Sequence, residues 1–145
     1  MLFRGVGRRE VKLWFGFAAL NVVITSVVGV ALSQVLDMQA NPMAGALADL
    51  SGGEQVATFL AMVPQLFGEE LFTILILLAT LTLLFRVVRL PRRAALIGAS
   101  LVATLVFAAI HLPTYGGNIL QCLAVIGVAR VVLLIPFLLT KNIWA

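Results

Sequence analysis

Four long apolar stretches dominate the sequence, and short polar segments separate them. They cover residues 13–36, 56–85, 94–111 and 118–139. Each contains enough residues to cross a hydrocarbon core as an α-helix, which takes about 17–25 residues. None shows the alternation of apolar and polar residues that is typical of a membrane β-strand. The pattern predicts an all-α integral membrane bundle of about four transmembrane helices.

The second stretch is too long for one straight span. Residues 56–85 would extend about 45 Å as a single helix, because an α-helix rises about 1.5 Å per residue. Ser51 and Glu54 have the Ser-x-x-Glu spacing of a capping box, which predicts that a helix begins beside them. Pro64 lies near the middle of the run and lacks a backbone N–H. We therefore expect a break or kink there.

Composition agrees with a membrane protein. Hydrophobic residues make up 62% of the chain and charged residues only 11%, whereas ordinary soluble domains have about 25% charged residues. These values predict one membrane domain over residues 1–145, with the lipid bilayer as its partner. The positive residues flank apolar stretches, so we expect no nucleic-acid partner. The single Cys122 and single His111 exclude an intrachain disulfide and a four-ligand Cys/His zinc site.

The distribution of Lys and Arg predicts the orientation. Of the ten such residues, four precede the first stretch, four lie in the turn 86–93, and Lys141 follows the last stretch; only Arg130 lies inside a stretch. The segments 37–55 and 112–117 contain none. Because Lys and Arg concentrate on the cytoplasmic side, we expect a multi-pass protein of the plasma membrane with both termini in the cytoplasm.

The basic start of the chain also permits a different interpretation. A cleaved signal peptide has positive residues followed by an apolar run of about 7–15 residues and a small-x-small cleavage site. The first stretch, 13–36, is longer than that, and no clear cleavage site follows it. These features favour a retained helix.

Four ionisable residues lie inside the apolar stretches or at their ends: Glu69, Glu70, His111 and Arg130. Each costs a few kcal/mol or more in hydrocarbon, so each needs a partner, a water-filled cavity or a function. A carboxylate beside a histidine in one cavity can activate a water molecule. Arg130 could neutralise the second glutamate or stabilise an oxyanion.

Purely structural roles could also account for these ionisable residues, without any catalytic function. The two glutamates could begin a helix at the bilayer interface, where negative charge suits the positive helix end. His111 precedes Leu-Pro, as histidine does at an ordinary helix C-terminus, and Arg130 could serve only as an ion-pair strut. Asn118 and Gln121 would hydrogen-bond neighbouring helices rather than a substrate.

Two motifs on consecutive apolar stretches resemble those of a known family. Glu69-Glu70 is a Glu-Glu pair, and Phe107 and His111 have the Phe-x-x-x-His spacing on the next predicted helix. In this order they resemble the CPBP intramembrane proteases, which include CAAX prenyl-protein endopeptidases and bacteriocin-processing or immunity (Abi) proteins. The resemblance covers roughly residues 56–145.

The resemblance implies an endopeptidase that cleaves a membrane-associated or exported peptide or protein. Glu69 or Glu70 would activate the attacking water, and His111 would assist or help to hold a metal. Phe107 would pack one helical turn from His111, and Arg130 would support the site. Chemistry in this family has been described both with a divalent metal such as zinc and without an obligatory metal. His111 and one of the two glutamates are the only candidate ligands.

The sequence departs from the family pattern at two points. The Glu-Glu pair is usually followed by three residues and Arg, but position 74 is Ile74. The third motif, a His followed four residues later by Asn, has no counterpart before the chain ends at residues 140–145, so we expect a truncated or reduced form. The alternatives are a non-catalytic bacteriocin-immunity or partner-binding membrane protein and, third, a small transporter.

Overall fold

The computed structural model describes residues 4–144, and these residues form helices and no strand. The helices are α1 (Arg8–Ser33), α2 (Pro42–Ala48), α3 (Gly52–Thr82), α4 (Arg92–Ile110) and α5 (Ile119–Thr140). A π-helical turn, Leu83–Val87, prolongs α3, and a π-helical segment, Cys122–Gly127, lies inside α5. All but α2 are long and apolar enough to cross a membrane. The predicted all-α membrane bundle is confirmed.

Helix α3 is continuous through Pro64, so the break that was one of the two expected outcomes there does not occur. The helix begins at Gly52, and the Glu54 carboxylate accepts hydrogen bonds from the Ser51 N–H (2.9 Å) and hydroxyl (2.7 Å), as the capping-box spacing predicts. Pro64 stays inside the helix and is exposed. Its missing N–H removes the donor for a single carbonyl four residues earlier, and the rest of the ladder remains.

Helix α4 lies at the centre of the packing. It contacts both α3 and α5, and α5 in turn packs against α1. Ala95, Ala99 and Ala103 of α4 are fully buried at four-residue spacing, so one face of α4 is a stripe of small side chains that lets a neighbouring backbone approach closely. Ile74 and Leu77 of α3 are almost completely buried in the same core.

The segment after α1 is fixed to the start of α5 by side-chain amides. The Gln39 N–H donates to Gln121 Oε1 (2.9 Å), and Gln121 Nε2 donates to the Gln39 carbonyl (2.8 Å). Asn118 Nδ2 donates to the Asp37 carbonyl (3.0 Å). The prediction that Asn118 and Gln121 bond neighbouring helices was therefore wrong, because they bond the backbone of a loop.

The chain reverses direction after α5. Lys141 has a left-handed backbone with φ of 57°, and Asn142 and Ile143 are then buried against the bundle. The Trp144 ring stacks on Phe67 of α3, with 5.4 Å between the ring centroids. Residues 142–144 thus fold back beside α3, along the part of that helix that leads to the two glutamates.

Candidate functional site

A cavity of about 600 Å³ opens between the four long helices. Side chains from α1, α3, α4, α5 and the turn after α4 line it. All five residues singled out in the sequence belong to this lining: Glu69, Glu70, Phe107, His111 and Arg130. The structure therefore brings together residues that lie up to about sixty positions apart in the chain.

Glu70 and Arg130 form an ion pair across the cavity wall. Arg130 Nη2 donates to Glu70 Oε2 at 2.6 Å, and the two side chains are 4% and 23% exposed, respectively. Charges at this depth need such a partner, since an unpaired one loses its hydration without compensation. Among the interpretations of Arg130 from sequence, the structure contains the ion pair with the second glutamate.

Arg130 also lies over an aromatic ring that connects it to the histidine. The Arg130 guanidinium carbon is 5.0 Å from the centroid of the Phe107 ring, which is a cation–π distance. The same ring packs against His111, with 4.6 Å between centroids and a tilt of 42°. Phe107 is 8% exposed. The Phe107 ring therefore lies in contact with both the Arg130 guanidinium and the His111 imidazole and holds them at the cavity.

The backbone of α4 fixes the orientation of His111. His111 is the C-cap of α4, and its Nδ1 lies 2.8 Å from the Phe107 carbonyl oxygen. A carbonyl only accepts, so Nδ1 carries the hydrogen and donates it. In the neutral ring, Nε2 then keeps its lone pair. The structural interpretation of His111 as a helix C-terminus holds, and the same hydrogen bond leaves Nε2 as an acceptor.

Glu69 differs from Glu70 in having no cationic partner among residues 4–144. Gln65 Nε2, one helical turn earlier, donates to Glu69 Oε1 at 3.0 Å. Both glutamates lie within α3, far from its start at Gly52, so they do not begin a helix at the interface as one interpretation had it. Adjacent helix positions diverge by about 100°, which explains why the two carboxylates have different partners.

Sequence reasoning missed several polar residues of the cavity, among them Tyr115 and Asn21. Tyr115 lies in the turn after α4, is 7% exposed, and has a hydroxyl whose pKa is raised, first by burial and then by nearby Cys122. A tyrosine hydroxyl is protonated at neutral pH, so it can donate a hydrogen bond. Asn21 of α1 also lines the cavity, and its Oδ1 is buried without a hydrogen-bond partner among the described residues. The sequence contained two signals that could have identified these residues. Tyr115 is the only tyrosine and lies in a Gly-rich turn, and Asn21 is an isolated amide inside an apolar span.

The side chains do not form a typical metal site. A catalytic zinc usually has three protein ligands. Within residues 4–144, no group of three or more His, Cys, Asp and Glu side chains is close enough to hold a metal ion. Glu70 already uses one carboxylate oxygen for Arg130. The donor set therefore does not fit the zinc that the family resemblance raised.

No comparison with known proteins indicates what this cavity does. Comparisons of the chain with protein-family models, curated proteins and solved structures find no significant match.

Proposed function

We propose that this chain is an intramembrane endopeptidase of the CPBP type, and that Glu69 and His111 activate the hydrolytic water. The observation that carries the proposal is that the two glutamates of the cavity have different partners. Glu70 is neutralised by Arg130, whereas Glu69 has only an amide partner and His111 presents Nε2. A carboxylate and an imidazole lining one cavity can serve as general base and general acid.

The reaction needs only a peptide bond and one water molecule. Glu69 takes a proton from the water molecule while the water oxygen attacks the peptide carbonyl carbon. Breaking the C–N bond then requires a proton on the departing amine, which Glu69 returns through His111. The Tyr115 hydroxyl is a donor for the negative charge on the carbonyl oxygen, in the manner of an oxyanion hole. The products are a carboxylic acid and an amine, so atoms and charge balance.

The proposed substrate is a membrane-associated or exported peptide or protein. The cationic segments at residues 4, 92 and 141 meet at one end of the bundle, and Lys- and Arg-rich ends face the cytoplasm. This arrangement supports a plasma-membrane protein with both termini and the turn 86–93 inside the cell. The Glu69 and His111 cavity would then belong to the outer half of the membrane.

The orientation predicts an asymmetry in chemical labelling. A cysteine introduced at Ala46, in the segment after α1, should react with a membrane-impermeant maleimide added to intact cells. A cysteine at Arg89 should react only after the cells are opened. Both are made in a Cys122→Ala background, because Cys122 is the sole native cysteine. The reverse labelling pattern would contradict the proposed topology.

His111→Ala should strongly lower the rate of proteolysis by the reconstituted chain. General acid–base groups typically contribute about 10²–10⁴-fold to a rate, so the loss should be of that order. The chain is inserted into vesicles with a library of single-span peptides in H₂¹⁸O, and mass spectrometry detects ¹⁸O in the new C-terminal carboxylates. His111→Gln, which keeps a polar side chain, separates loss of the imidazole from loss of packing on Phe107. Equal cleavage by wild type and both variants would overturn the proposal.

A second candidate is a non-catalytic protein that binds a partner or confers bacteriocin immunity within the bilayer. The structural roles of two residues of the cavity favour it, because Glu70 neutralises Arg130 and His111 caps α4. The same vesicle experiment distinguishes the two. Peptides that bind the wild-type chain without acquiring ¹⁸O, and that bind the His111→Ala chain equally, would favour this second function.

A further inference from the structure

A second cavity, of about 210 Å³, lies at the cationic end of the bundle, separate from the glutamate–histidine site. Three positive side chains from distant parts of the sequence line it: Arg4 before α1, Arg92 at the start of α4 and Lys141 after α5. No Asp or Glu is among the described residues of its lining. The fold thus gathers three cations around one space without supplying a counter-charge.

The rest of this basic pocket is apolar. Its other walls come from α3, α4 and α5: Leu77, Leu78, Leu81, Leu96, Phe137 and Leu138. A ligand that matches the pocket therefore has a compact anionic group joined to an apolar portion.

The positive charges are only partly satisfied by the protein. Arg4 Nη1 donates to the Thr140 carbonyl (3.4 Å) and Lys141 Nζ to the Leu138 carbonyl, so each keeps further donors. The Arg92 guanidinium makes no hydrogen bond or ion pair with residues 4–144. The pKa of Lys141 is lowered, first by burial and then by repulsion from Arg92. A bound anion would relieve that repulsion.

The start of α4 adds to the positive potential. The helix begins at Arg92 after Pro91, with no side-chain cap and no acidic residue in its first turn. Free N–H groups at a helix N-terminus favour a nearby anion. This feature reinforces the three side chains, which carry the argument.

We propose that the basic pocket binds the phosphate of an anionic phospholipid of the cytoplasmic leaflet. Basic pockets between transmembrane helices on the cytoplasmic side are suited to such headgroups. Arg4, Arg92 and Lys141 contact the phosphate, and the leucine side chains contact the glycerol and the first part of the acyl chains. A free phosphate ion would satisfy the cations but would leave the apolar walls uncovered. The proposal is independent of the catalytic function.

A lipid titration of the full chain tests the site, with Arg93→Gln as a control matched to Arg92→Gln. Both substitutions remove one charge from the same turn, but only Arg92 lines the pocket. Detergent-solubilised protein is titrated with dioleoyl phosphatidylglycerol, and thermal unfolding is followed by tryptophan fluorescence. A cation near a lipid surface contributes about 1 kcal/mol, or about five-fold in affinity. We expect the apparent Kd to rise about five-fold for Arg92→Gln and to stay unchanged for Arg93→Gln.

Further arms of the experiment identify the ligand. Dioleoyl phosphatidylcholine should not stabilise the protein, and Arg92→Lys should restore most of the affinity because it returns a positive charge to the pocket. The unfolding transition of Arg92→Gln without lipid, compared with that of wild type, shows whether that variant is folded. Equal losses for Arg92→Gln and Arg93→Gln would overturn the proposal in favour of diffuse surface attraction. Stabilisation by inorganic phosphate alone, equal to that by the lipid, would overturn the lipid assignment.

Discussion

Replacing Glu69 with Gln is expected to lower the rate of peptide hydrolysis by about 10²–10⁴-fold, the usual contribution of a positioned general base. Glutamine keeps the shape of the side chain and can still accept the hydrogen bond from Gln65, but it cannot take a proton from water. Folding should therefore be little affected, and the loss should appear in kcat. Initial rates on a cleaved peptide from the vesicle assay measure it.

Two other glutamates of α3 serve as controls for this substitution. Glu54→Gln makes the same chemical change at the helix start, outside the cavity, and a Gln at this capping-box position still accepts from Ser51; its rate should equal that of wild type. Glu70→Gln removes a carboxylate that is paired with Arg130 and leaves that buried cation without its counter-charge, which lowers stability; the rate per folded molecule should nevertheless stay close to that of wild type. A chain in which Glu70→Gln is inactive and Glu69→Gln active would reverse the assigned roles.

The all-α fold could be predicted from sequence because each element has a local cause. Apolar runs of sufficient length identify the spans, and the Ser51–Glu54 spacing marks the start of α3. The convergence of Arg4, Arg92 and Lys141 at one end also follows from the charge pattern. At Pro64 the sequence left a break or a kink open, because whether a helix continues through proline depends on the neighbouring structure and not on the residue alone.

The candidate site was predictable in its members but not in its pairings. Glu69, Glu70, His111 and Arg130 are conspicuous because ionisable groups are rare in apolar stretches. Which glutamate pairs with Arg130 depends on the relative rotation of α3 and α5, and the π-helical segment Cys122–Gly127 alters the register of α5 just before Arg130. Periodicity of 3.6 residues does not reveal such a segment. Ile74 stands where the family pattern has Arg, and Arg130 supplies a positive charge to Glu70 from another helix.

Replacing Arg130 with Met should be among the most destabilising single changes in the bundle. Arg130 is 96% buried, and Met retains its apolar length while leaving Glu70 without a counter-charge. Breaking a buried ion pair from one side typically costs about 3–5 kcal/mol. Because Glu70 is 23% exposed to the cavity, solvent reduces that penalty, and we expect about 3 kcal/mol. Loss of the cation–π contact with Phe107 contributes part of the cost.

A double-mutant cycle separates the ion pair from the packing of Arg130. The double variant Arg130→Met/Glu70→Gln contains neither charge of the ion pair, so no unpaired carboxylate remains in the cavity wall. It should therefore be more stable than Arg130→Met alone. Contacting residues usually show coupling energies of about 0.5–3 kcal/mol, and this pair should fall in the upper half of that range. Equilibrium unfolding in mixed micelles, followed by circular dichroism, measures all four proteins. Strict additivity would mean that the 2.6 Å contact contributes no coupling. Arg130 would then stabilise the bundle through Phe107 and the cavity wall alone, and Glu70 would be as free as Glu69 to act as the base.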